Sequence, residues 1–245
     1  MTRLSPRALS VVFLLLLTIS CQKKGLPEMV FIQGGEFVMG CDSLGDADES
    51  PAHKIAVQSF YIGKYEVTQA EWSMVMRHNP SKFIGENLPV ECVSWDDVQI
   101  FIAKLNRITG RKYRLPTEAE WEYVAKCGYR SSTTSEYLSS IGWWAENSEG
   151  QTHQVGELQP NTFGVYDMIG NVHEFCADFY DSLAYAKTAR LNPNVGVSQT
   201  KEIVARGGNW VSERRFMRIT NRNHAPLDYK NPTVGFRLAM DAENP

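Results

Sequence analysis

The sequence has no basic excess. Lys and Arg number 25 against 28 Asp and Glu, a formal net charge of −3. Nothing in that balance would neutralise a phosphate backbone, which argues against nucleic-acid partners. There is no CxxC pair and no Cys/His cluster at zinc spacing, so a structural zinc site is not indicated. The five histidines, His53, His78, His153, His173 and His224, show neither HxxxH nor HxH spacing and read as surface or hydrogen-bonded residues. HExxH, GxSxG and P-loop signatures are absent. Past Gly25 there is no linker, low-complexity tract or internal repeat, which leaves one unit from Glu28 to about Asp241. The single strongly apolar run, Leu9 to Ile19, is too short to span a bilayer comfortably.

What is present is ordinary globular material, 43% hydrophobic and 22% charged, which argues against disorder. The N-terminus reads as an export signal. Arg3 and Arg7 precede the apolar run, and small residues follow it. It ends Leu17-Thr18-Ile19-Ser20-Cys21, which resembles a loose bacterial lipobox with Leu17 one position further from the cysteine than usual. Residues 1–21 are therefore expected to be a signal peptide whose Cys21 is acylated, the alternative being a plain cleaved signal with an incidental cysteine. Residues 22–27 form a tether. The expected location is exported and membrane-anchored, in the periplasm or on the outer membrane. Export favours disulfides. Cys41, Cys92, Cys127 and Cys176 allow three pairings, and buried free thiols are the alternative.

Met29–Ile32 and Glu36–Met39 flank Gly34-Gly35 and predict a β-hairpin. Asp42 to Glu49 is acidic and predicts a solvated loop, and Ile55 to Tyr61 predicts a strand. Thr68-Gln69-Ala70-Glu71, Ser94-Trp95-Asp96-Asp97 and Thr117-Glu118-Ala119-Glu120 each predict a helix start. In each, a hydroxyl accepts from an orphan N–H and an acid three residues on returns the bond. The helices run to Met76, Thr109 and about Lys126. Val98, Phe101, Ile102 and Leu105 place one face of the second in the core. Beyond Gly142 helical periodicity disappears, and short strands are expected at Ile203–Ala205 and Val234–Ala239.

Seven segments together resemble the formylglycine-generating enzyme (sulfatase-modifying factor) family. They are Gly35–Gly40, Tyr65–Thr68, Pro89–Trp95, Arg114–Tyr123, Gly164–Phe175, Arg206–Met217 and Val234–Leu238, in family order over about residues 28–240. The resemblance implies a loop-rich α+β fold related to C-type lectins. It implies that residues 28–241 form one sulfatase-modifying factor domain. Catalytic members bind Cu(I) through two thiolates five residues apart and oxidise a sulfatase cysteine with O₂. Those positions here hold Ser212 and Met217, and Asn209 replaces a serine usual after the Gly-Gly pair. A hydroxyl is a hard donor and a lone thioether cannot anchor the ion, so copper is not expected and neither is the family's oxidation. A second, iron-dependent branch draws its histidines largely from an extra domain that does not match here.

The resemblance also implies a structural Ca²⁺ held by Asp167, the carbonyls of Gly170 and Val172, and Glu174. The alternative is that Asp167 caps a turn and Glu174 pairs with an arginine. A second calcium site survives only as Asn147. Trp210, Arg214, Arg218 and His173 are candidates for a ligand groove, with internal ion pairing the alternative for most of the arginines. Two functions follow. One is a non-catalytic envelope lipoprotein that binds a protein or glycan, as related lipoproteins do in secretion and gliding machines. The other is a formylglycine-generating oxidoreductase with altered metal ligands.

Overall fold

The computed structural model describes residues 25–43, 45–129, 134–187, 189–196 and 200–242. The signal segment and the Cys21 acylation expected for it lie outside the described residues. Among the described residues, three sheets and four α-helices make up an α+β architecture. The first sheet has the order β1-β4-β10-β5: Met29–Ile32, Phe60–Gly63, Ala239–Asp241 and Tyr113–Arg114. A two-stranded sheet pairs β2 (Gly35–Met39) with β3 (His53–Val57). The third has the order β8-β7-β6-β9: Asn223–Pro226, Glu202–Arg206, His173–Phe179 and Val234–Gly235.

Three strand expectations are corrected; one is Val234–Ala239, which is two short strands in different sheets, β9 (Val234–Gly235) and β10 (Ala239–Asp241). The segments around Gly34-Gly35 do not pair with each other: β1 pairs with β4 and β2 with β3, in different sheets. The expected strand from Ile55 to Tyr61 is two strands broken at Gln58-Ser59. That break is where Gly34 packs, an added Cβ meeting Val57 O at 2.4 Å. The chain therefore crosses between sheets at Gly34-Gly35 and at Gln58-Ser59 instead of folding back on itself.

The helices form where the capping chemistry placed them. α1 (Gln69–Met76), α2 (Trp95–Thr109) and α3 (Glu118–Gly128) start at Thr68, Ser94 and Thr117, each with a complete capping box. Gly110 ends α2 in the left-handed conformation, φ 72°. A fourth helix, α4 (Ser135–Ile141), is capped by Thr134 and was not expected from the sequence.

Two cores lie on either side of the third sheet, because its strands alternate. Cys176 of β6 and Val204 of β7 face a core with Trp121, Trp144 and Met168. Phe175, Ile203 and Ala205 face a core with Trp72, Phe101 and Phe236. In the second core Trp72 stacks on Phe101, centroids 5.2 Å apart. Among the described residues Cys92, Cys127 and Cys176 form no disulfide, and only Cys176 is a buried thiol, so the buried-thiol alternative holds for that residue alone. The acidic loop from Asp42 to Glu49 is also less solvated than expected. Glu49 is fully buried and accepts from Arg218 Nη2 at 2.5 Å, with Asp46 at 3.0 Å beside it.

Candidate functional site

The segment after β7 turns sharply at Gly207 (φ 97°) and Gly208 (φ 73°). A Cβ on Gly208 would meet Met217 Sδ at 2.7 Å, so only glycine lets the methionine close over the turn. Met217 is 1% exposed and belongs to the first core. Ser212 Oγ accepts the Asn209 N–H at 3.0 Å, while Ser212 N–H donates to Asn209 O at 2.9 Å. Asn209 Oδ1 in turn accepts from Val211 N–H. All three positions that the resemblance associates with oxygen chemistry thus serve local structure.

Asn209 also faces a cleft of ≈ 250 Å³, together with His173, Asn223, His224, Tyr229 and Thr233. His173 Nε2 lies 3.0 Å from Asn223 Nδ2, which can only donate, so the ring proton sits on Nδ1 towards Arg206 O (3.4 Å). Burial pushes the His173 pKa down to about 4, which keeps the ring neutral at neutral pH. The lining is therefore amide, neutral His173 imidazole and hydroxyl on a small apolar floor, with His224 beside the Glu202 carboxylate (3.2 Å). Of the four groove candidates, His173 alone lines this cleft. Trp210 donates its indole N–H to Pro232 O (2.9 Å) and meets Phe83 edge-on. Arg214 lies exposed in a 3₁₀ turn, and Arg218 is committed to Asp46 and Glu49. Asn223, His224 and Tyr229 were missed by sequence reasoning, because β8 carries no periodicity that marks one of its faces as lining a cleft.

The residues expected at the calcium loop do converge. Asp167 has φ 56°, is buried, and accepts the Gly156 N–H at 2.7 Å through Oδ2. Its Oδ1 is buried without a hydrogen-bond partner. Gly170 (φ 84°) packs against Trp143, where a Cβ would meet Trp143 O at 2.2 Å. Glu174 accepts from Arg237 Nε (2.6 Å) and Nη2 (2.5 Å) and from Trp121 Nε1 (2.8 Å). Glu66 joins them, accepting from Val172 N–H and Asn171 Nδ2. Three buried carboxylates thus lie near one guanidinium, which bonds Glu174 alone among them. Burial above all, with Asp167 and Glu174 nearby, pushes the Glu66 pKa well up. Burial likewise takes Asp167 to about 6.

The orphaned Oδ1 and the surplus of negative charge fit a hard cation. Glu174 could contribute only through the lone pairs that Arg237 and Trp121 leave. Among the described residues no three His, Cys, Asp or Glu side chains are grouped as a metal site, and the expected set supplies only two such side chains. Asn147 is engaged in its own turn, accepting from Trp144 N–H and donating to Gly142 O.

A second buried network joins α3 to the C-terminal half. Arg206 donates to Glu118 (2.6 Å), Glu122 (2.8 Å) and Ile219 O, and Arg222 clamps Glu118 from the other side. Its signal in the sequence was Glu118 and Glu122, one helical turn apart among apolar neighbours, which demands a buried cation.

The chain is similar to several known proteins. It is 28% identical to the chaperone protein LppX of Paenibacillus barcinonensis, covering 86% of this chain and 88% of that one. It is 26% identical to the formylglycine-generating enzyme of Streptomyces coelicolor, covering 87% and 89%. It is equally 26% identical to the inactive C-alpha-formylglycine-generating enzyme 2 of Mus musculus, covering 95% and 93%. It spans only 39% of the length of the Chlamydia trachomatis serine/threonine-protein kinase Pkn1, at 31% identity. Among solved structures, PvdO from Pseudomonas aeruginosa superposes with a TM-score of 0.80 at 29% identity, covering 89% of this chain and 96% of that one. The family profile described as sulfatase-modifying factor enzyme 1-like domain matches residues 17–242. With this fold and a profile match across nearly its whole length, the chain belongs to the sulfatase-modifying factor family of formylglycine-generating-enzyme-like domains.

Proposed function

We propose that the protein is a lipid-anchored binding or scaffold module of the cell envelope that has left the family's oxidation chemistry. One observation carries this reading. The two positions at which catalytic members place copper thiolates hold a serine that closes a turn and a methionine sealed into the core. Neither offers a thiolate, and soft anionic sulfur is what selects Cu(I). The cleft beside them can still hydrogen-bond an uncharged polar partner, such as a glycan or a peptide main chain, through the amides of Asn209 and Asn223. A relative whose name declares it inactive supports the loss of catalysis.

The test is a Cu(I) titration with a sulfatase-derived cysteine peptide under O₂. The wild-type protein is expected to leave the peptide mass unchanged. Tight copper binding with O₂-dependent loss of the peptide thiol would establish the oxidoreductase reading instead.

Calcium is the proposed structural ion, held by Asp167, Glu174 and the carbonyls of Gly170 and Val172. It would offset the buried negative charge and order the helix-poor C-terminal half. A cation at about a hundredfold its Kd adds about 2.7 kcal/mol. For a domain of this size that is a shift of roughly 5–10 °C. Chelator is therefore expected to lower Tm by that amount, and Asp167→Ala to abolish the response. Identical melting with and without chelator would leave Arg237 as the sole counter-charge of the cluster.

A further inference from the structure

Five cations gather where α1 and α2 end: Arg77, Lys104, Arg107, Arg111 and Lys112. None is paired with a described carboxylate. Lys104 Nζ reaches Met76 Sδ (3.6 Å), and Arg111 Nη1 reaches the Tyr113 hydroxyl (3.1 Å). The acids of the same helices sit at their opposite ends. Glu71 is folded into its capping box, and Asp96 and Asp97 open α2, the latter bound to Lys230. Cations at helix C-termini complement the dipole, but that does not explain the apolar side chains among them. Met74, Ile100 and Ile108 are 43%, 48% and 63% exposed. Ile100, Lys104, Arg107 and Ile108 follow one another at helical spacing, so apolar and cationic groups share one side of α2.

The position of Gly25 gives this face a partner. Gly25 lies against α1, where an added Cβ would meet Met74 Sδ at 3.1 Å. It lies four residue steps from Cys21, a reach of at most about 14 Å when fully extended. An acyl chain on Cys21 would hold the α1–α2 face within that distance of the lipid headgroups. We propose that this face of α1 and α2 lies on an anionic phospholipid leaflet, its cations on the headgroups and Met74, Ile100 and Ile108 in the interfacial layer. The geometry of the tether rests on the lipid-anchor reading, whereas the chemistry of the face does not. With the face docked, the domain's orientation on the membrane is fixed.

The test is flotation of the full chain with vesicles of phosphatidylcholine alone or with a quarter phosphatidylglycerol, in the natural and Cys21→Ser backgrounds. Each surface cation contributes roughly fivefold to binding an anionic surface. Lys104→Gln/Arg107→Gln is therefore expected to weaken binding to anionic vesicles by roughly thirtyfold in the Cys21→Ser background. Its melting temperature should not change, because both side chains lie at the surface. Equal flotation of parent and double variant overturns the proposal, as does equal binding to neutral and anionic vesicles. Intact mass reports acylation separately. An unmodified Cys21 removes the anchor, and the flotation comparison still decides the face.

Discussion

Asp178 shows how much one buried side chain can be asked to bear. It is 2% exposed and accepts backbone N–H groups from Glu118 (2.7 Å) and Val195 (2.8 Å), one on each oxygen. Those bonds favour the carboxylate. Burial and the neighbouring Glu118 charge oppose them and win, taking its pKa up to about 7. An unfolded aspartate titrates near 3.9. Between about pH 4 and pH 7 the native protein holds a proton that the unfolded chain has released. Asp178 therefore makes stability fall as pH rises through that window, with no further slope above it. Glu66 and Asp167 are shifted the same way, so the informative quantity is a difference between proteins. The urea midpoint of the wild type is expected to drop from pH 5 to pH 8 by more than that of Asp178→Asn. The variant should also lose about 1–3 kcal/mol at pH 5, since an amide offers one acceptor to two N–H donors. Parallel pH profiles would show that Asp178 is ionised throughout.

At the scale of elements, what the sequence revealed was local. Thr68, Ser94 and Thr117 sit three residues before an acid, and that spacing alone defines a capping box, so three helix starts were legible to the residue. Gly110 marked an end for the same reason. The β-structure was not legible, because pairing is decided by partners remote in sequence. Gly34-Gly35 resembles a hairpin turn, yet β1 finds β4 and β2 finds β3. α4 was hidden because seven residues with only Leu138 and Ile141 buried give too little periodicity to read. The candidate site divides the same way. Asp167, Gly170, Val172 and Glu174 lie in one short loop and could be named together. Glu66, which completes their cluster, arrives from over a hundred residues away. The acidic loop from Asp42 to Glu49 read as solvated because composition cannot show that Arg218 reaches across to bury Glu49.

At the scale of the whole molecule, α1, α2 and α3 pack into the two cores that flank the four-stranded sheet. The long loops around them are fixed in place by buried ions. Arg206 is the centre of one such assembly. It is fully buried and binds Glu118 and Glu122 of α3, the Tyr185 hydroxyl and Ile219 O, so it joins α3, the 180s loop and the segment after the Gly-Gly turn. Arg222 extends the assembly to the acidic loop through Asp48 O (2.9 Å). An exposed pair such as Lys54–Glu36, 65% and 64% open to solvent, contributes at most about 1 kcal/mol. Arg206→Met differs in kind, because it leaves Glu122 buried with only the partly exposed Lys126 at 3.6 Å as counter-charge. The expected cost is about 3–5 kcal/mol, or roughly 10 °C in Tm for a domain of this size. Lys54→Met should cost less than 1 kcal/mol in the same urea titration. If the two variants unfold at the same midpoint, the loops are held by apolar packing alone. If Arg206→Met unfolds early and in one cooperative transition, the ion network is shown to tie the loops and both cores into a single unit. That rigidity is what the binding or scaffold role proposed above would need.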